Sequence, residues 1–177
     1  MIQGRFIALL TFPGVIIHEF AHMLFCMWTG TRVTEVKYFR FGSPAGYVIH
    51  EHPSNAWKAI LIGVGPFLVN TILGLVIALS ASSLRGSGNI TVTVLWAVLI
   101  WLAVSVAMHS FPSTGDAKAI WSTVMAKNRP IVAKIVAIPI VGFIYLGALG
   151  SIFWLDLGYA LVVTVVLPTA LGITVWY

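Results

Sequence analysis

The residues with the clearest chemical potential are His18, Glu19 and His22, which form the pattern His-Glu-x-x-His. On an α-helix, positions i and i+4 lie on one face, so both imidazoles can bind one zinc ion while the glutamate acts as a general base. Between Arg5 and Arg32, Glu19 is the only charged side chain. A carboxylate near the middle of a membrane-spanning helix costs about 2.5–3.5 kcal/mol on insertion scales, so its presence in this apolar stretch indicates a functional role.

A catalytic zinc ion typically has three protein ligands and one water molecule, so the two histidines need a third partner. We expect Asp116 to be that ligand, because an anion inside an apolar segment needs a cation and the metal provides one. His109 is the alternative, either as a ligand or as a group that hydrogen-bonds to a ligand or to the substrate. Cys26 lies one turn beyond His22, but ligands at i, i+4 and i+8 would span about 12 Å of helix, too far for one ion. We therefore expect Cys26 to be a small packing residue.

Zinc at this position would support metal-assisted hydrolysis. The ion lowers the pKa of its water to about 7 and polarises a carbonyl, while Glu19 takes the proton and later passes it to the leaving amine. An ion or proton transporter that uses Glu19, Asp116 and the histidines is a different interpretation of the same residues, and it needs no metal.

The composition is that of an integral membrane protein. Of 177 residues, 59% are hydrophobic and only 8% are charged, and the mean hydropathy is +0.99. About a quarter of the residues of a soluble domain are charged, so this class is excluded. The net charge of +5 comes from cations in short loops, which the positive-inside rule explains better than nucleic-acid binding. The single cysteine rules out an internal disulfide.

The apolar runs predict an all-α multi-span membrane protein with about five transmembrane helices, one of them broken, and a small surface β-hairpin. About 20 apolar residues form one span. We expect residues 1–177 to form a single domain. Its predicted spans are residues 4–28, 56–81, 90–126 (broken near 110–115), 131–155 and 158–177, and its hairpin covers residues 33–50.

The break in the third span follows from its length and from its turn residues. Residues 90–126 are too many for one span at about 1.5 Å per residue, and Pro112 and Gly115 disfavour a continuous helix. Unwound backbone inside a membrane is tolerated only where protein or a water-filled cavity satisfies it. Asp116 would lie at the N-terminus of the restarted helix, where a carboxylate is favoured and can serve as an N-cap. This capping role is the structural alternative to metal binding.

The predicted hairpin interrupts the apolar pattern after the first span. Residues 33–41 alternate roughly with period two, residues 42–46 are typical of a turn, and residues 47–50 can return as a second strand. The open edge of such a hairpin could pair with an extended peptide by strand addition. A plain surface loop is the alternative.

Lysine and arginine are distributed unevenly between the two predicted sides of the membrane. Eight lie on the side of the hairpin and of the loop after the broken helix, and two lie on the opposite side. The positive-inside rule therefore predicts a multi-pass protein of the cell membrane with its active site toward the cytoplasm. The eight are Arg32, Lys37, Arg40, Lys58, Lys118, Lys127, Arg129 and Lys134, and the two are Arg5 and Arg85.

Three patches resemble the site-2 protease family of intramembrane zinc metalloproteases. They are His18-Glu19-Phe20-Ala21-His22, Gly65-Pro66-Phe67-Leu68-Val69-Asn70 and His109-Ser110-Phe111-Pro112-Ser113-Thr114-Gly115-Asp116. The first is similar to the metal-binding helix of the family, the second to its G-P-x-x-N element and the third to its N-x-x-P…L-D-G element. In the third patch, His109 replaces the usual Asn, Gly115 replaces the Leu before the Asp, and Ala117 replaces the Gly after it.

The resemblance implies a zinc metalloendopeptidase that hydrolyses peptide bonds of transmembrane protein substrates near the cytoplasmic face. It implies that His18, His22 and Asp116 bind zinc, that Glu19 is catalytic, and that Asn70 orients the substrate or stabilises the transition state. The expected partners are a membrane-protein substrate and the lipid bilayer, with no nucleic acid, and the oligomeric state is left open. An inactive homologue that binds membrane helices without cutting them is the alternative.

Overall fold

The computed structural model describes residues 2–84, 86, 88–173 and 175, with side chains from Phe6 onwards. This part of the chain is mostly helical and contains one two-stranded antiparallel sheet. The helices are α1 (Ile2–Leu10), α2 (Phe12–Thr29), α3 (Ala56–Ser82), α4 (Ile90–Met108), α5 (Thr114–Val124), α6 (Ile131–Gly150), α7 (Leu155–Leu161) and α8 (Leu167–Ala170), and the strands are β1 (Val33–Lys37) and β2 (Tyr47–His50). A 3₁₀ turn (Ser151–Phe153) precedes α7, and a π-helical segment (Val162–Val166) joins α7 to α8.

The predicted fold class is confirmed. Among the described residues, three helical segments are long and apolar enough to cross a membrane, namely Ala56–Ser82, Ile90–Met108 and Ile131–Phe153. Leu155–Ala170 is a shorter apolar helix in the region of the fifth predicted span. The first predicted span consists of α1 and α2. Residues 174, 176 and 177 at the end of the fifth span, the loop residue Arg85 and the side chain of Arg5 lie outside the described residues.

The division between α1 and α2 has a local cause. Pro13 lacks a backbone N–H and is the second residue of α2, in its first turn. Ser105 of α4 satisfies polar groups that this break leaves: its hydroxyl accepts from the backbone N–H of Gly14 (3.0 Å) and donates to the carbonyl of Thr11 (2.9 Å). A Cβ at Gly14 would collide with the carbonyl oxygen of Ser105. Glycine is therefore required for α2 to approach α4 this closely.

Helix α3 is the element around which the others pack. It contacts α2, α4 and α5 along its length. Gly63 faces Ile120 of α5, and Gly74 faces Ala107 of α4. Small residues allow close approach between helices in membranes, where packing rather than the hydrophobic effect drives association. The close packing on α3 brings the metal-binding candidates close together, namely His18 and His22 of α2 and Asp116 of α5.

The predicted broken helix is observed as α4 and α5, separated by residues 109–113. A second interruption, at residues 151–154, separates α6 from α7. Helix α6 packs mainly against α5, and α7 packs mainly against α4. The two interruptions are therefore neighbours in the fold.

The predicted hairpin is also observed. Strands β1 and β2 pair antiparallel, from Lys37 opposite Tyr47 to Val33 opposite His50. Arg40 organises the connecting loop, because its side chain donates to the carbonyls of Ser43 (3.0 Å) and Pro44 (2.9 Å). The loop is thereby folded into a compact turn.

Candidate metal centre

The two histidines of the motif are held by backbone carbonyls of other helices. Their rings lie 4.9 Å apart on one face of α2. The Nδ1 of His18 is 2.7 Å from the carbonyl of His109, and the Nδ1 of His22 is 3.0 Å from the carbonyl of Ile62. Because a carbonyl only accepts, each Nδ1 carries the hydrogen and each Nε2 is left with its lone pair. Such partners fix the tautomer and ring orientation of metal-binding histidines.

The two carboxylate oxygens of Asp116 have different roles. Oδ2 accepts from the backbone N–H (2.7 Å) and the hydroxyl (2.6 Å) of Ser113, while Oδ1 lies 3.3 Å from Nε2 of His22. Asp116 lies in the first turn of α5, as predicted, but it is the third residue of the helix and Ser113, not Asp116, is the N-cap. Together they form a capping box, in which each side chain bonds to the backbone of the other. Capping and metal binding are thus not alternatives, since each uses one oxygen.

The donor set fits zinc. The ligand atoms of His18, His22 and Asp116 all lie within 4.8 Å of one another. Zinc forms bonds of about 2.0–2.2 Å to nitrogen and oxygen, which places tetrahedral ligands roughly 3.4 Å apart. Movements of about an ångström would close the three donors on one ion. Two neutral imidazoles and one carboxylate also leave a fourth position for water or substrate, as a catalytic site requires.

The two alternative ligands stand apart from this group. His109 ends α4, and its Nδ1 hydrogen-bonds to the carbonyl of Ser105 (3.0 Å). Its backbone carbonyl, rather than its side chain, contacts His18. Cys26 is fully buried and packs with Phe25 and Ile62. Neither side chain belongs to the metal-binding group found among the described residues.

Asn70 lies beside the site without facing it. Its side chain is 0% exposed, and its Nδ2 donates to the carbonyls of Val106 (3.1 Å), His109 (3.1 Å) and Gly14 (3.3 Å). Two of these carbonyls belong to the last turn of α4, where helical carbonyls lack partners within the helix. The carbonyl of His109 is the one that orients His18. Asn70 therefore supports a metal-binding candidate through the backbone, and a direct contact with substrate remains only an expectation from the resemblance.

Glu19 lines a covered cavity together with the three metal-binding candidates. The cavity measures about 300 Å³, and β2 and the start of α5 form its walls. Glu19 is only 8% exposed, and a Cβ at Gly46 would lie 2.6 Å from its Cγ. The glycine thus lets the end of the hairpin loop rest directly on the catalytic candidate.

Tyr47 also lines this cavity, but its hydroxyl has another partner. It donates to Oε1 of Glu35 on β1 at 2.6 Å. This hydrogen bond to a carboxylate raises the pKa of the Tyr47 phenol above its ordinary value. The phenol therefore stays protonated at neutral pH and is not a candidate base.

Sequence reasoning missed three parts of this site. Ser113 could have been found, because Ser-x-x-Asp is a capping-box pattern. No local sequence pattern indicates the contact of Gly46 with Glu19. The same is true of the two backbone carbonyls that hold the histidines. They depend on which backbone segments the fold brings next to α2.

A model of the family described as "Putative zincin peptidase" matches residues 11–129. The match covers about two-thirds of the chain and includes the two histidines, Glu19, Asn70 and Asp116. No curated protein and no solved structure matches significantly. With the His-Glu-x-x-His helix and a converging carboxylate inside the matched range, this chain belongs to that family of zincin peptidases, which are zinc metallopeptidases.

Proposed function

We propose that this protein is an intramembrane zinc metalloprotease that hydrolyses peptide bonds of transmembrane substrates near the cytoplasmic face. The observation that carries the proposal is the convergence of His18, His22 and Asp116 beside Glu19 in a chain with three helices able to cross a membrane. The uneven distribution of lysine and arginine supports the cytoplasmic orientation.

The residues of the chain have distinct roles in this proposal. Zinc, when bound by His18, His22 and Asp116, supplies Lewis acidity that polarises the substrate carbonyl and acidifies the attacking water. Glu19 accepts the proton of that water and delivers it to the leaving nitrogen. The buried position of Glu19 strengthens its electrostatic interactions, because the local dielectric constant is low.

Strand β2 offers a place for the substrate backbone. It pairs only with β1 among the described strands, and β2 rather than β1 lines the cavities facing α5. These cavities, of about 250 and 300 Å³, share Val48, His50, Asp116 and Ala119 and form one groove that passes the metal-binding candidates. An extended segment can add to a free strand edge by main-chain hydrogen bonds. We propose that the substrate binds there after local unwinding.

The test is cleavage of a single-span membrane substrate by the purified, zinc-loaded protein in liposomes. Glu19→Gln should retain about one zinc per chain, because Glu19 is not a ligand, and should lose at least about 10³-fold in rate, within the range for a general base. Lys127→Gln, in the exposed loop after α5, also removes one charge, serves as the control and should cleave at the wild-type rate.

Three outcomes would contradict the proposal. Cleavage by Glu19→Gln at the wild-type rate would remove the assigned base. Zinc binding without turnover of any membrane substrate would favour an inactive helix-binding homologue, and ion flux in liposomes that survives zinc removal would favour a transporter.

A further inference from the structure

The two helix interruptions meet beside the metal centre. Phe111, in the first interruption, packs against α6: its ring centroid is 5.5 Å from that of Phe143, and a Cβ at Gly147 would lie 2.5 Å from its ring. The second interruption, residues 151–154, begins directly after α6, four residues after Gly147. Both interruptions therefore lie at the level of His109, where the carbonyl that orients His18 is found.

A third cavity, of about 260 Å³, lies between these interruptions. Its polar wall consists of His18, Glu19, His109, Ser113, Ser151 and Asp156, and its apolar wall includes Ala8, Val15 and Met108. It shares Glu19 and Gly46 with the 300 Å³ cavity that β2 lines. The groove along β2 therefore continues past Glu19 to Asp156.

Asp156 has no strong cationic partner in the described part of the chain. Its Oδ1 accepts from the backbone N–H of Leu157 (3.0 Å), and the ion pairs found there involve Asp116 and Glu51 instead. The imidazole of His109 lines the same cavity. Asp156 follows the apolar segment Ile131–Phe153 and lies in the first turn of the shorter apolar helix Leu155–Ala170. A carboxylate without a cationic partner in such apolar surroundings is a candidate functional group.

We propose that Asp156 forms a subsite that binds a lysine or arginine side chain of the substrate, on one side of the bond that is cut. This inference rests on the proposed function. The apolar wall suits the aliphatic stem of such a side chain, while the charged end meets the carboxylate. Basic residues are common where membrane helices leave the lipid on the cytoplasmic side, which is where the proposed cleavage takes place.

The experiment uses zinc-loaded protein in liposomes and a set of single-span substrates. Each carries Lys, Met or Glu at one of the four positions on either side of the cleaved bond. At one position we expect the wild-type kcat/KM for Lys to exceed that for Met roughly 100-fold, as for a desolvated charge pair. In Asp156→Asn this ratio should fall to near one, and in Asp156→Lys the Glu substrate should become the preferred one. Lys127→Gln, in the exposed loop after α5, should keep the wild-type ratio.

A binding measurement separates this inference from the proposed function. Fluorescence anisotropy can report binding of the Lys and Met substrates to the Glu19→Gln protein, which does not need to turn over. Lys preference that depends on Asp156 would support the subsite even if the wild type cleaved nothing. Cleavage with no preference for Lys over Met at any position would overturn the proposed subsite, and so would a preference that is unchanged in Asp156→Asn. The role of Asp156 would then be limited to its hydrogen bond with the backbone of Leu157.

Discussion

The two interrupted helices of this protein are held in different ways. At residues 109–113, groups from other elements satisfy the backbone: Asn70 donates to two carbonyls of the α4 terminus, and His18 donates to one of them. At residues 151–154, the hydrogen bonds found among the described residues join positions no more than four residues apart, such as the hydroxyl of Ser151 to the carbonyl of Gly147 in the last turn of α6 (3.2 Å). The first interruption is thus built into the metal centre. The second brings a carboxylate to the same cavity without fixing it to another helix.

The largest expected contrast is between the two aspartates. Asp116→Asn should weaken zinc binding by more than about 100-fold, because a ligand loses its charge, whereas loss of a ligand's partner typically costs 10–100-fold. Asp156→Asn should bind zinc like the wild type, since Asp156 is outside the group of metal-binding candidates. Zinc titration against a competing chelator measures both. Equal loss in the two variants would mean that the second interruption also belongs to the metal centre.

A smaller effect should separate Asn70 from His109. Asn70→Ala removes the donor to the His109 carbonyl that orients His18, and we expect zinc affinity to fall roughly 10–100-fold. His109→Ala keeps that carbonyl and should change zinc affinity less than about threefold, well below the range for a lost partner. The same chelator titration applies. A larger loss in His109→Ala than in Asn70→Ala would show that the imidazole itself binds the metal.

The smallest contrast concerns the serine at each interruption. Ser113→Ala removes the N-cap of α5 and a donor to Asp116, so we expect a loss of about 1 kcal/mol in stability. Ser151→Ala removes only a local bond to the last turn of α6 and should cost less than about 0.5 kcal/mol. Thermal unfolding in detergent measures both, and Ser113→Thr should restore most of the loss because threonine also caps helices. Equal destabilisation by the two alanines would contradict the difference between the interruptions.

Several elements of the fold could be predicted because their causes are local. The interruption after α4 follows from the length of the apolar run and from Pro112, and the hairpin follows from alternation and turn residues. The position of Asp116 in the first turn of α5 was also predictable, but the N-cap is Ser113, which bonds reciprocally with Asp116. Asp156 falls between the predicted spans 131–155 and 158–177. Its position beside Glu19 depends on how α6 and α7 pack on α5 and α4, which no local pattern indicates.

The sequence by itself determined the chemistry that is available: two imidazoles one turn apart, a glutamate between them, and few charges in an otherwise apolar chain. Helical geometry places the histidines on one face whatever the rest of the chain does. Only the tertiary structure decided that Asp116 comes within 3.3 Å of His22, and that two backbone carbonyls turn the histidines toward it. The reason is that these contacts join segments far apart in sequence, and such segments meet only through the packing of α2, α4 and α5 on α3.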